Sequence, residues 1–145
     1  MKNLILIALF LFCSVAHSQN ILTTEKCKSS TNQRVRKNCI NKELNAYANT
    51  NFDVNRIATY AQLGENRVYT RVSIDHLGRI TNIQVKGTAP ELEQEAIRVL
   101  EQYDGFVLLP EQKSTASDEN TNDFTVLISF MVDATEYDHT ATANF

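Results

Sequence analysis

The 145-residue chain is poor in the residue types that make chemistry legible. It has three cysteines, Cys13, Cys27 and Cys39, and three histidines, His17, His76 and His139. No C-x-x-C or H-x-x-x-H spacing occurs, so no metal-ligand or thiol-redox pattern is present. Tyr69, His76 and the acids offer no nucleophile–base pair at a readable spacing; the sequence predicts no enzyme and no cofactor. The only prolines are Pro90 and Pro110, which excludes a Pro-rich spacer. No apolar run reaches the roughly 20 residues that a membrane-spanning helix needs. The net charge of −3 argues against a nucleic-acid partner.

What is present begins with a compartment signal. Met1-Lys2-Asn3 is a short basic start, residues 4–15 form an apolar run, and Ala16-His17-Ser18 places small residues before Gln19. This is the pattern of a secretory signal peptide, residues 1–18, with cleavage after Ser18. The chain is then expected to be exported, to the periplasm first, with outer-membrane association or secretion as alternatives, and without a stable membrane anchor. An uncleaved start would read as an anchor, but the run is too short to span. Removal of Cys13 leaves Cys27 and Cys39, and an exported chain with two cysteines most simply joins them. A loop of that length is worth about 3 kcal/mol in the chain-entropy account.

Charge is unevenly distributed. From Gln19 to Gly87 there are eleven basic residues and five acids; after Gly87 only Arg98 and Lys113 are basic, against twelve acids. The halves offset each other if they fold together. The sharper alternative, a basic patch at Arg34-Val35-Arg36-Lys37, sits poorly with the acidic total.

Along the chain, residues 29–48 predict a helix, with Ile40, Leu44, Tyr47 and Ala48 on one face and N-cap oxygens at Ser30, Thr31 and Asn32. If Cys27 and Cys39 are bonded, the chain must turn between them, because one straight helix would hold them roughly 18 Å apart. Residues 57–63 predict a second short helix closed by Gly64. RVYTRVSIDHLGRITNIQVKG then alternates as two strands around an Asp75-His76-Leu77-Gly78 turn. Ile80 is out of phase with Ile83 and Val85, which predicts a bulge near Thr81-Asn82. His76 reads as an exposed turn residue.

GTAPELEQEAIRVLEQY predicts a helix. Thr88 and Glu91 fit a capping box, Pro90 suits the first turn, and Leu92, Ala96, Val99, Leu100 and Tyr103 form the apolar stripe. Glu91, Glu93 and Glu95 are expected on the solvated face. Residues 105–123 predict a long polar loop. FTVLISFMV, residues 124–132, is the strongest strand, with Phe124, Val126, Ile128, Phe130 and Val132 on one face and Leu127 and Met131 on the other. Residues 134–145 read as a flexible tail.

Helix, hairpin, helix and strand make an α+β fold: a three-stranded antiparallel sheet with two helices packed on one face. A right-handed crossover brings the last strand back beside the first of the hairpin, at a sheet edge. An edge strand presents N–H and C=O groups that a partner strand can pair with.

The hairpin, APELEQEAIRVL, Pro110 and the closing FTVLISFMV together resemble the C-terminal domain of the TonB family, over residues 58–133. The segment 19–57, with CKSSTNQRVRKNC and Asn51-Phe52, is similar to a secreted, cysteine-containing branch of that family. The resemblance implies binding without catalysis. It implies pairing of the last strand, residues Phe124, Val126, Leu127, Ile128, Phe130, Met131 and Val132, with an extended segment of a TonB-dependent outer-membrane transporter or another envelope protein, and it implies arginines near the domain start as helpers. Without a spacer or lasting anchor, a free-standing relative is expected rather than a complete energy transducer.

Two alternatives use the same layout. Gln84-Val85-Lys86-Gly87 is similar in part to the cystatin loop motif, which fits a secreted inhibitor-like or scaffold protein. A homodimer through the last strand would cover Leu127 and Met131.

Overall fold

A computed structural model describes residues 20–30, 32–75, 77–110 and 122–133. The expected signal peptide, His76, most of the loop after Pro110 and the tail lie outside the described residues.

The chain is α+β, with five strands in two antiparallel sheets among the described residues. In chain order the elements are β1 (Asn20–Thr24), α1 (Gln33–Asn51), α2 (Val54–Ile57) with a 3-10 turn (Ala58–Tyr60), β2 (Gly64–Ile74), β3 (Ile80–Lys86), α3 (Pro90–Glu101), β4 (Phe106–Pro110) and β5 (Asp123–Val132). The larger sheet has the order β3-β2-β5, so the expected three-stranded sheet and the return of the last strand beside β2 are both present. The second sheet, β1 paired with β4, corrects the expected strand count. Phe106–Pro110 was expected to be loop. It is a strand because Asn20–Thr24, which carried no prediction, pairs with it along all five residues.

Local chemistry explains the main elements. The Asn32 side chain accepts hydrogen bonds from the N–H groups of Arg34 (2.9 Å) and Val35 (3.3 Å), so α1 starts at Gln33, four residues later than its pattern suggested. Ile40, Leu44 and Ala48 bury its inner face. A disulfide joins Cys27, before the helix, to Cys39 within it, with Cα atoms 5.8 Å apart. The chain turns between the two, as bonding requires.

In β2, Asn66, Val68, Thr70, Val72 and Ile74 are buried and the residues between them face outward. The hairpin turn is held by Asp75, whose carboxylate accepts from the N–H groups of Leu77 and Arg79, both at 2.9 Å. Gly78 takes φ +78 there, a conformation that favours glycine. The ladder pairs Ser73 with Asn82 but Ile74 with Ile80, which leaves Thr81 as the extra residue of the expected bulge.

Two readings of α3 are corrected. Its N-cap is Ala89, with no side-chain cap, so the Thr88–Glu91 capping box does not form. Instead the Glu93 carboxylate accepts from the Gly87 N–H at 2.9 Å. Glu95, expected on the solvated face, is buried at 3% exposure. The second short helix is also shifted, to Val54–Ile57 and the turn that follows it.

Helices α1 and α3 close the inner face of the larger sheet over Val68, Val72, Val126 and Ile128. The β1–β4 ribbon meets the hairpin tip. A Cβ on Gly78 would lie 3.6 Å from Phe106 and 3.7 Å from Leu22.

Candidate functional site

The two outer strands of the β3-β2-β5 sheet are the candidate site, because an outer strand has one side of its backbone unpaired by sheet. Their surroundings differ.

β5 lies at the rim of the sheet, as expected, but its outer side is occupied by α1. The Asn45 carboxamide accepts from the Leu127 N–H (2.9 Å) and donates to the Thr125 carbonyl (3.4 Å). The Asn49 carboxamide accepts from the Ser129 N–H (3.0 Å) and donates to the Leu127 carbonyl (3.0 Å). Each side chain therefore offers β5 a donor and an acceptor, as a neighbouring peptide unit would. The spacing explains the match. Four residues of helix rise about 6 Å, and two residues of strand advance about 6.8 Å. Steps of four along α1 thus keep pace with steps of two along β5.

The same helix flank continues toward the start of α1. Asn41 stands one turn before Asn45, and its buried Oδ1 has no hydrogen-bond partner among the described residues. The ladder's step places it beside Thr125. One turn earlier, the Lys37 ammonium lies 6.0 Å from the centre of the Phe124 ring. The carboxamide nitrogens also hold the helix itself: Asn45 donates to the Asn41 carbonyl (2.7 Å) and Asn49 to the Asn45 carbonyl (2.8 Å).

Of the seven residues expected to bind a partner, Phe124, Val126, Ile128 and Val132 are buried in the core and Phe130 is partly buried. Leu127 (37%) and Met131 (65%) are exposed on the outer face. A visiting strand at β5 would meet main chain already bonded by Asn45 and Asn49.

β3 has no such cover. The N–H and C=O groups of Thr125, Leu127 and Ser129 point away from β2, so those of Val126 and Ile128 point toward it. Alternation carried across β2 then directs Gln84 and Lys86 of β3 toward β2 and turns the main-chain groups of Ile83 and Val85 outward. The Thr81 hydroxyl donates to the Ser73 carbonyl (3.1 Å), which agrees with that assignment. No helix or strand among the described residues bonds the outward groups of Ile83 and Val85. Their side chains are half-buried, where those of Val126 and Ile128 are sealed.

Electrostatics stabilise the frame of both edges. Burial alone would raise the Glu95 carboxyl. Bonds from Arg98 (2.8 Å to Nε) and the Asp53 N–H (3.1 Å), with Arg56 at 3.7 Å, hold it below the ordinary carboxylate range. Asp123, at the head of β5, is held low by the Ser73 hydroxyl and then by Arg71, whose guanidinium binds it at 2.6 Å. A cavity of about 430 Å³ between α2 and α3 is lined by Arg56, Tyr60, Glu95 and Arg98 among others. Its one buried carboxylate is already engaged. Among the described residues no cluster of His, Cys, Asp or Glu could hold a metal ion. No described helix is long and apolar enough to cross a membrane.

Asn45 and Asn49 were not singled out in the sequence. The available signal was Asn41, Asn45 and Asn49 at helical steps, each directly after a buried position of α1.

The chain matches no family model, no curated protein and no solved structure.

Proposed function

We propose that the chain is an exported, TonB-like protein-interaction module that binds an extended segment of an outer-membrane transporter or other envelope protein by strand addition. The observation that carries this reading is the small antiparallel sheet with outer strands of ten and seven residues. Backbone pairing along such a strand supplies affinity, and alternate side chains supply selectivity. The hairpin, α3 and the closing strand, the stretches on which the family resemblance rests, follow one another with β4 before the last of them, and support the same reading. The disulfide between Cys27 and Cys39 suits an oxidising compartment, as export requires. The domain contributes binding, not chemistry.

The test is a titration of isotope-labelled chain with a panel of end-blocked TonB-box-like peptides, followed through backbone amides. Perturbation confined to one outer strand is the expected result. If no amide of β3 or β5 responds to any peptide in the panel, the reading is wrong.

A further inference from the structure

Resting on the strand-addition reading, we propose that the visiting strand pairs with β3 and not with β5, and that it alternates apolar and polar residues with an acid opposite Lys86. Three observations lead there.

First, the β5 edge is engaged. Four hydrogen bonds from Asn45 and Asn49 occupy the N–H groups of Leu127 and Ser129 and the carbonyls of Thr125 and Leu127. A strand arriving at β5 must displace both carboxamides, which α1 holds in place because its adjoining face is anchored by Ile40, Leu44 and Ala48. Each bond the visitor would make there replaces one already made by a carboxamide, so the exchange gains little.

Second, the β3 edge presents the complementary vacancy. The outward main-chain groups of Ile83 and Val85 have no partner among the described residues. The bulge at Thr81 interrupts pairing at one end, and β3 stops at Lys86 at the other. The window is therefore short, centred on Ile83, Gln84 and Val85.

Third, the side chains around that window specify the visitor. Ile83 and Val85 lie on the core face and remain partly exposed, so apolar residues beside them complete the row that β2 and β5 already form. Asn82, Gln84 and Lys86 are exposed on the other face. Lys86 makes no ion pair among the described residues, in contrast to Arg71 with Asp123 and Arg67 with Glu65. An acidic side chain opposite Lys86 meets a cation that no described acid pairs with.

The experiment uses the full mature chain and an end-blocked peptide of valine alternating with threonine, carrying one glutamate. Its controls carry lysine in place of the glutamate, or proline at the centre. The expected result is movement of the Ile83 and Val85 amides with Leu127 and Ser129 unmoved. Lys86→Glu, an exposed change, should reverse the preference between the glutamate and lysine peptides. Val85→Pro removes an outward N–H and no ladder bond to β2, and should weaken binding about tenfold or more. Movement of Leu127 and Ser129 instead of Ile83 and Val85 overturns the choice of edge while leaving strand addition intact. Concentration-dependent self-association through the Ile83 and Val85 amides, with no response to peptide, overturns the choice of occupant. Silence at both edges overturns this proposal and the functional reading together.

Discussion

β3 and β5 flank the same central strand, share its alternation, and differ in what stands beside them. β5 carries the stronger strand pattern and has its outer backbone bonded by Asn45 and Asn49. β3 is shorter, bulged, half-buried and, among the described residues, unbonded on its outer side. A strand's suitability for a partner is thus set less by its own sequence than by its neighbours' side chains. An asparagine on a helix flank can do for an edge what another strand would do, provided the helix runs along it. It does so without extending the sheet, which also protects a flat edge from unwanted pairing.

The most forceful way to break this contrast is to loosen α1. The Cys27–Cys39 disulfide ties its second turn to the segment after β1. Replacing both cysteines with alanine should cost about 3 kcal/mol of stability, measured by urea unfolding. Cys27 is fully buried, so lost packing adds to the effect. The same variant should speed hydrogen exchange at Leu127 and Ser129 toward the rates at Ile83 and Val85. Unchanged protection at Leu127 and Ser129 would mean that the clasp does not depend on the staple.

A narrower cut removes the clasp alone. Asn45→Ala with Asn49→Ala deletes four bonds to β5 and two to α1's own carbonyls. Alanine raises helix propensity, which offsets part of the loss. A net destabilisation of about 1–2 kcal/mol is expected, with faster exchange at Leu127 and Ser129 and no change at Ile83 and Val85. The double variant also makes β5 a second open edge, so peptide should then perturb both outer strands. Exchange rates that stay unequal after the change would show that burial beneath α1, and not the carboxamides, closes β5.

The comparison also explains which parts of the fold were legible. The hairpin, β5 and α3 announce themselves because each carries its own period, two or nearly four, over enough residues to be read alone. The disulfide followed from cysteine count and expected export. β1 and β4 did not show, since each is five residues long and strand-like only because the other exists. FVLLP has no alternation and ends in proline, so pairing at long range decided it. The position of β5 at the rim was legible from the order of elements. Its closure was not, because asparagine at helical spacing has the same appearance whether it faces water or a strand. Glu95 failed for the same reason. It sits beside Glu91 and Glu93, which stay partly exposed, and its partner Asp53 lies 42 residues upstream.

Glu95 offers the mildest test, and one that bears on the helix flanking the open edge. α3 covers β2 and β3 from the core side, and Glu95 fastens its flank to the segment after α1 through the Asp53 N–H and the two arginines. Its carboxyl is held low in the folded chain. That stabilisation is complete above the ordinary glutamate value of about 4.3 and disappears as pH falls through the lower folded value. Asp75, held low first by the Arg79 backbone N–H, and Asp123 titrate in the same direction. Only a difference between variants isolates Glu95. Glu95→Gln should therefore unfold more easily than the parent at neutral pH, by about 1 kcal/mol or somewhat more, and the gap should shrink as the solution is acidified below about pH 4. Urea melts of both chains across that range measure it. Exchange at Ile83 and Val85 should stay fast in both chains at every pH, because the edge is open for want of a neighbour and not for want of charge. A slowing at Ile83 and Val85 in the glutamine variant would mean that α3 can move to cover β3, and the contrast between the two edges would then be a matter of helix position, not of permanent architecture.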